Sequence, residues 1–309
     1  MHDKKAPQLK SPGWKKWLSD WRLYLMILPA LVWLIVFCYV PMYGILTAFQ
    51  NYKISKGVLG SEFVGLKYFK MWLESNIFET AFGNTLRISF KCLIFGFPIP
   101  IIFALMVNRL KAPRFAKAVQ TITYIPNFIS TVVLVSMMSI FFAPNGLINQ
   151  IVNYFGVDTT ITYSNGKQFD AIFVISGIWQ AMGFNSIIYV AALSNIDPTM
   201  YEAAKIDGAS TWKIITTIDL PTIMPTIVMM LIMNIGNLLS VSHDKILLMQ
   251  TGTNIMQSEI ISTYVYKMGI TNVQYSYSTA IGLFNAVINF ALLLSANWIS
   301  KKTTDSGLF

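Results

Sequence analysis

Six apolar runs, each about twenty residues long and separated by polar, turn-rich segments, constrain this chain more than any other feature. They fall at residues 22–44, 82–107, 118–142, 171–193, 223–241 and 277–299. Coiled as an α-helix at about 1.5 Å per residue, such a run matches the roughly 30 Å hydrocarbon core of a bilayer. Lipid offers the backbone no hydrogen-bond partner, so each run must satisfy its own amides by being helical. The sequence therefore predicts an all-α integral membrane protein with six transmembrane helices. Charge usage agrees, since only 12% of residues are Asp, Glu, Lys or Arg, against about a quarter in soluble domains. The first run is too long for a signal-peptide core and lacks a small-residue cleavage site, so it is expected to remain a membrane helix, kinked at Pro29 and Pro41.

Basic residues orient the bundle. With the N-terminus inside, the cytoplasmic segments hold fourteen Lys and Arg and the outer loops seven; that bias places both termini in the cytoplasm. Residues 1–21 then form a basic cytoplasmic arm, carrying Lys4, Lys5, Lys10, Lys15 and Lys16 beside the interfacial Trp14, Trp17 and Trp21. Residues 22–301 form the six-span domain, and 302–309 a cytoplasmic tail. The net charge of +9 is explained by this asymmetry, and no nucleic-acid partner is expected.

Several chemistries are excluded by what the chain lacks. Its two cysteines, Cys38 and Cys92, sit inside apolar runs and are expected to be small packing residues. His2 and His243 are the only histidines, and there is no CxxC, HExxH or phosphate-binding GxxxxGK[ST], so no metal site, no catalytic group and no cofactor is expected in this chain. The spans contain almost no Asp or Glu, which weakens the alternative reading of an ATP-independent secondary transporter or channel. Arg87 and Lys91 interrupt the outer part of the second run, four residues apart on one helical face; they are expected to snorkel outward, the alternative being that they line a water-filled path.

Residues 197–221 are the longest polar, patterned segment between two apolar runs. Asp197 and Pro198 read as an N-cap and first helical residue, so a short helix should run toward Ile206. Gly208 breaks it, as a left-handed or close-approach position. A second helical run is expected from Ser210, with Trp212, Ile215 and Ile218 on one face, before Pro221 and Pro225 lead into the fifth apolar run. Ala203, Ala204 and Gly208 leave the backbone approachable, amid the charges of Glu202, Lys205 and Asp207. From residue types alone, a connecting loop and a docking element fit this segment equally well.

The spacing of these residues is similar to the EAA pattern of binding-protein-dependent ABC importer permeases: Glu202-Ala203-Ala204, three residues, Gly208, nine residues, Ile218, one residue, Leu220-Pro221. The resemblance implies that the segment is a cytoplasmic coupling helix docking into an ATP-hydrolysing subunit, through Glu202, Ala203, Ala204, Asp207, Gly208, Leu220 and Pro221. Further stretches resemble the LplB-type branch of carbohydrate importer permeases: residues 39–45 (YVPMYGI), 48–53 (AFQNYK), 84–86 (NTL), 119–130 (VQTITYIPNFIS), 146–149 (GLIN), 261–266 (ISTYVY) and 275–285 (YSYSTAIGLFN). That likeness implies a type I ABC importer permease fold in a bacterial plasma membrane. It also implies a second, different permease subunit, two ATPase subunits holding ATP and Mg, an extracellular solute-binding protein, and an oligosaccharide as cargo.

Polar side chains inside the spans are the candidates for contacting a sugar, because hydroxyls need donors and acceptors and sugar faces stack on aromatics. Asn234 and Asn237 share a face of the fifth span. Gln180, Phe184 and Asn185, with Trp179 beside them, lie on the fourth and are candidates to oppose them. The competing reading is interhelical hydrogen bonding, a routine use of Asn and Gln in membrane bundles. His243, Asp244 and Lys245 fall at the outer mouth of the fifth span, where they are expected to mark the interface or meet the binding protein. No single residue discriminates an acidic from a neutral sugar, although Arg87 and Lys91 would favour an acidic one if they faced the pore.

Overall fold

The computed structural model describes residues 21–156 and 160–304; the basic arm over 1–20, residues 157–159 and the end of the tail lie outside the described residues. Among the described residues helix dominates, and the one sheet is the two-residue antiparallel pairing of Gln50–Asn51 with Glu62–Phe63. Five of the described helices are long and apolar enough to cross a membrane: Trp21–Phe49, Asn76–Asn108, Gly166–Ser194, Thr211–Gly236 and Tyr275–Lys302. A sixth crossing is divided, Pro113–Phe128 meeting Thr131–Phe141 at 97°.

That bend corrects the expected continuous span over 118–142. Pro126 cannot donate a backbone hydrogen bond, the helix tightens over Ile125–Phe128, and Ser130 opens a new helix by accepting from the Val133 N–H. The fifth span is corrected as well. It starts at Thr211, so the second run of the coupling segment is the beginning of the span itself, and it ends at Gly236 rather than 241. The face expected there shifts too: Ile214 and Ile218 are buried, whereas Trp212 is 73% exposed.

Prolines shape the other spans without breaking them. Widened π-helical turns occupy Ile35–Tyr39, Cys92–Gly96 and Ile215–Asp219, each ending two residues before a proline, at Pro41, Pro98 and Pro221. A proline lacks its own N–H and its ring presses on the carbonyl four residues back, so the preceding turn opens.

Three buried clusters hold the chain together. One joins Ile88, the Thr131–Phe141 helix, the first half of the fourth span and the short His243–Met249 helix. A second, at the coupling end, packs Ile101, Tyr189 and Leu193 on Ile214, Ile218 and Ile223. The third fixes the helix Lys67–Leu73, through fully buried Trp72, to the sixth span at Tyr277 and Ile281. The first span stands apart. None of its most apolar stretch is buried, so Cys38, expected as a packing residue, is exposed, whereas Cys92 packs on the first cluster. A close approach comes at Gly183, where an added Cβ would run into the Thr123 carbonyl. The divided third span thus rests directly on the backbone of the fourth, as small residues allow in membranes.

Candidate functional site

The helix expected from the motif to be the coupling helix spans Pro198–Ile206, and both its ends are set by local chemistry. The Asp197 carboxylate accepts the Thr199 N–H at 2.9 Å, and this bond, with that of the Thr199 hydroxyl, holds its pKa below the usual carboxylate range. At the other end Gly208 takes φ +71°. Its N–H donates to the Lys205 carbonyl at 3.1 Å and the Ala209 N–H to the Ala204 carbonyl at 2.9 Å, the paired bonds of a Schellman stop. The three-residue gap between Ala204 and Gly208 is therefore the register of a helix terminator. Glu202, Ala203, Asp207, Gly208 and Pro221 are exposed; Ala204 and Leu220 are half-buried.

One contact not foreseen in the sequence ties this helix to the bundle. Asp219, in the position between Ile218 and Leu220, is fully buried and forms an ion pair with Arg109 at the end of the second span. The Tyr201 hydroxyl of the coupling helix donates to the same carboxylate at 2.7 Å, and the Arg109 guanidinium lies 4.7 Å from the centre of the Tyr201 ring. Burial, then the bond to Asp219, pushes the Tyr201 phenol pKa up. A single carboxylate thereby joins the second span, the fifth span and the coupling helix.

Between the second, fourth and fifth spans lies a cavity of about 560 Å³, bordered by Gln180, Asn185, Asn234 and Asn237. Asn234 and Asn237 donate to the carbonyls of Met230 and Met233 in their own helix, at 2.8 and 3.2 Å. Their side-chain oxygens stay available as acceptors. Gln180 donates at 2.8 Å to the Ile129 carbonyl, which the break in the third span releases. The other two expected residues lie elsewhere: Trp179 borders an apolar groove with Leu134 and Ile175, and Phe184 packs edge-on against Phe128. Helical geometry explains the split, since Trp179 is adjacent to Gln180 and points about 100° away from it around the helix.

Arg87 and Lys91 neither snorkel nor stand free. Asp170 accepts from Arg87 Nε at 2.7 Å and from Lys91 Nζ at 2.8 Å, and Arg87 also donates to the Gln257 carbonyl at 2.6 Å. Lys245, expected at the outer mouth, instead turns inward to the cavity wall and is 5% exposed.

Residues 96–305 match the family model of the binding-protein-dependent transport system inner membrane component, two-thirds of the chain, including the Pro198–Ile206 helix and the four amide residues of the cavity. The chain belongs to this permease family. Such a permease is a transporter subunit, not an enzyme by itself, and this one is a multi-pass membrane protein. It is 40% identical, over 288 residues covering 93% of this chain and 90% of the relative, to the polygalacturonan/rhamnogalacturonan transport system permease protein YteP of Bacillus subtilis (strain 168). Protein LplB of the same organism is 37% identical over 309 residues, 98% of this permease and 97% of the relative. In three dimensions the permease is similar to a chain in the crystal structure of a bacterial alginate ABC transporter in complex with alginate pentasaccharide-bound periplasmic protein. That similarity has a TM-score of 0.88 at 38% identity and covers 96% of this chain and 99% of that one.

Proposed function

We propose that this permease forms half of the translocation path of an ATP-driven oligosaccharide importer in a bacterial plasma membrane. The observation that carries the reading is the convergence of Gln180, Asn185, Asn234 and Asn237 on one cavity, two of whose three walls, the second and fifth spans, are also joined through Asp219 to the Pro198–Ile206 helix. A sugar needs acceptors for its hydroxyls, and side-chain amides supply them without the desolvation cost of charge. Similarity to a polygalacturonan/rhamnogalacturonan permease and to an alginate transporter covers nearly the whole chain. In this reading both termini and the exposed face of Glu202, Ala203, Asp207 and Gly208 are cytoplasmic. That face meets one of two ATPase subunits, which carry the ATP and Mg. A second permease subunit, a different chain, completes the path, and an extracellular solute-binding protein delivers the cargo.

The test is uptake of a radiolabelled oligogalacturonide by proteoliposomes holding the purified complex and its binding protein. Wild type should import only with ATP. Replacing Asn234 and Asn237 together by Ala should lower uptake at least tenfold while ATP hydrolysis stimulated by the loaded binding protein persists. Uptake without ATP would overturn the importer reading in favour of a secondary transporter.

A further inference from the structure

Lys245 lies in the segment between the fifth and sixth spans and is a buried residue, 5% exposed, on the wall of the amide-lined cavity. The surroundings that place it there are specific. Its Nζ donates to the Phe173 carbonyl at 3.0 Å and sits 4.6 Å from the centre of the Phe173 ring. Gly177, one turn further along the fourth span, leaves the space beside it open, a Cβ there lying 3.5 Å from Nζ. An ammonium has three N–H donors, and one of them is used.

A buried cation is normally matched by a carboxylate, because an unpaired one bears the full cost of its desolvation. Among the described residues, no acid pairs with Lys245. Asp170 is held by Arg87 and Lys91, Glu259 by Lys267, and the neighbouring Asp244 faces His243 at 2.8 Å. Burial draws the Lys245 pKa down to about 8, which leaves most of it charged at neutral pH. The cavity therefore presents acceptor oxygens from Asn234 and Asn237 together with a cation that has two unused donors.

We infer that Lys245 is a specificity-determining residue for cargo, receiving the carboxylate of an acidic sugar unit while the amides take its hydroxyls. This rests on the oligosaccharide-importer reading and deepens it. A carboxylate arriving at Lys245 replaces lost hydration with a charge-assisted hydrogen bond, which is the strong kind and the kind a neutral sugar cannot make.

The test compares wild type, Lys245→Gln and Lys245→Arg in proteoliposomes with the ATPases, the second permease and the binding protein, using a galacturonic acid tetramer as cargo. Wild type should import it. Lys245→Gln should lose at least tenfold in maximal uptake at saturating binding protein, while the complex assembles in the same yield and loaded binding protein still stimulates ATP hydrolysis. Lys245→Arg, which keeps the charge, should restore uptake to within threefold of wild type. Unchanged uptake in Lys245→Gln overturns the assignment, and so does equal loss in both variants, since that would mark a packing role. Wild type that imports galactose oligomers and not the acid also overturns it but leaves the importer reading standing. Wild type that imports neither class of oligomer with ATP overturns the importer reading itself.

Discussion

Around the Pro198–Ile206 helix, four of the residues that match a motif or lie within it stand in the open. Glu202, Ala203, Asp207 and Gly208 are exposed on a nine-residue helix held by its caps, a small apolar contact at Ala204, and the tether from Tyr201 to Asp219. At the opposite end the arrangement is reversed. Asn84 donates to the carbonyls of Met256 and Glu259, both at 2.9 Å, and the Thr85 hydroxyl accepts the Ile261 N–H. Glu259 accepts from Thr263 at 2.7 Å and from Lys267 at 2.5 Å. These polar groups of the outer cap are consumed by one another, whereas the charged face of the Pro198–Ile206 helix is exposed. The difference teaches how to sort polar residues in such a chain. A polar group whose partners lie within the chain is architecture, and one whose partners are missing is an interface.

The largest effect should come from breaking the cap. Replacing Lys267 by Met leaves the Glu259 carboxylate, with a 7% exposed side chain, without its cation. Breaking a buried pair in this way costs about 3 kcal/mol or more. Thermal unfolding in detergent should show a clear drop in Tm for Lys267→Met, while Lys205→Met on the exposed coupling helix should shift it little, as surface substitutions stay within about 0.5 kcal/mol. Equal shifts would erase the contrast between the two ends.

What was legible in the sequence follows the same division. Span lengths, the Asp197 cap and the Gly208 stop depend on residues within a few positions of one another, and periodicity and turn chemistry report such local facts. Long-range pairs do not announce themselves: Arg87 and Asp170 are 83 residues apart, Arg109 and Asp219 110. Asp219 sits in a polar stretch that lowers hydropathy, which made the fifth span look shorter than it is. In the structure the stretch stays helical because Thr216 and Thr217 return their hydroxyls to the carbonyls of Trp212 and Lys213, and Arg109 neutralises the acid. Pro126 was hidden for another reason. Pro98 and Pro100 lie in helix without breaking it, so a proline inside an apolar run does not by itself distinguish a widened turn from a corner.

A second test sharpens the contrast by separating strain from docking. Nothing lies within 4 Å of a Cβ built at Gly208, so substitutions there meet no clash within the chain and pay only for the positive φ, about 1–2 kcal/mol for a branched residue. Gly208→Asn, which tolerates that conformation, should unfold near wild type, and Gly208→Val should be modestly less stable. Gly208→Asp should insert into the membrane normally and yet lose ATP-driven uptake, with the ATPase absent from the purified complex. Uptake at the wild-type rate in Gly208→Asp would show that this face docks nothing.

Next in size is the tether. Tyr201→Phe removes the hydrogen bond to Asp219 and keeps the ring under Arg109, so the loss should be about 1.5–3 kcal/mol, the range for a bond to a charged group. The sharper readout is ATP hydrolysed per sugar imported, which should rise because the coupling helix is less firmly joined to the second and fifth spans. An unchanged ratio would make the tether a stability element only.

The smallest effect concerns pH. The Asp197 carboxylate caps the coupling helix, and its bonds from Thr199 hold its folded-state pKa below the unfolded value. A group shifted in that direction stabilises the fold at pH above its unfolded pKa and loses that contribution as pH falls through the folded one. The capping helix should therefore fray only in acid. Amide hydrogen exchange over residues 199–202, corrected for the intrinsic pH dependence of exchange, should show protection that is flat at neutral pH and declines below the carboxylate range. Asp197→Asn keeps an acceptor oxygen for the Thr199 N–H but cannot titrate, so its protection should be lower than wild type at pH 7 and level across the acid range. If wild type and Asp197→Asn lose protection together on acidification, the acid sensitivity does not lie in the cap, and the Asp197 carboxylate is not what holds this end of the helix.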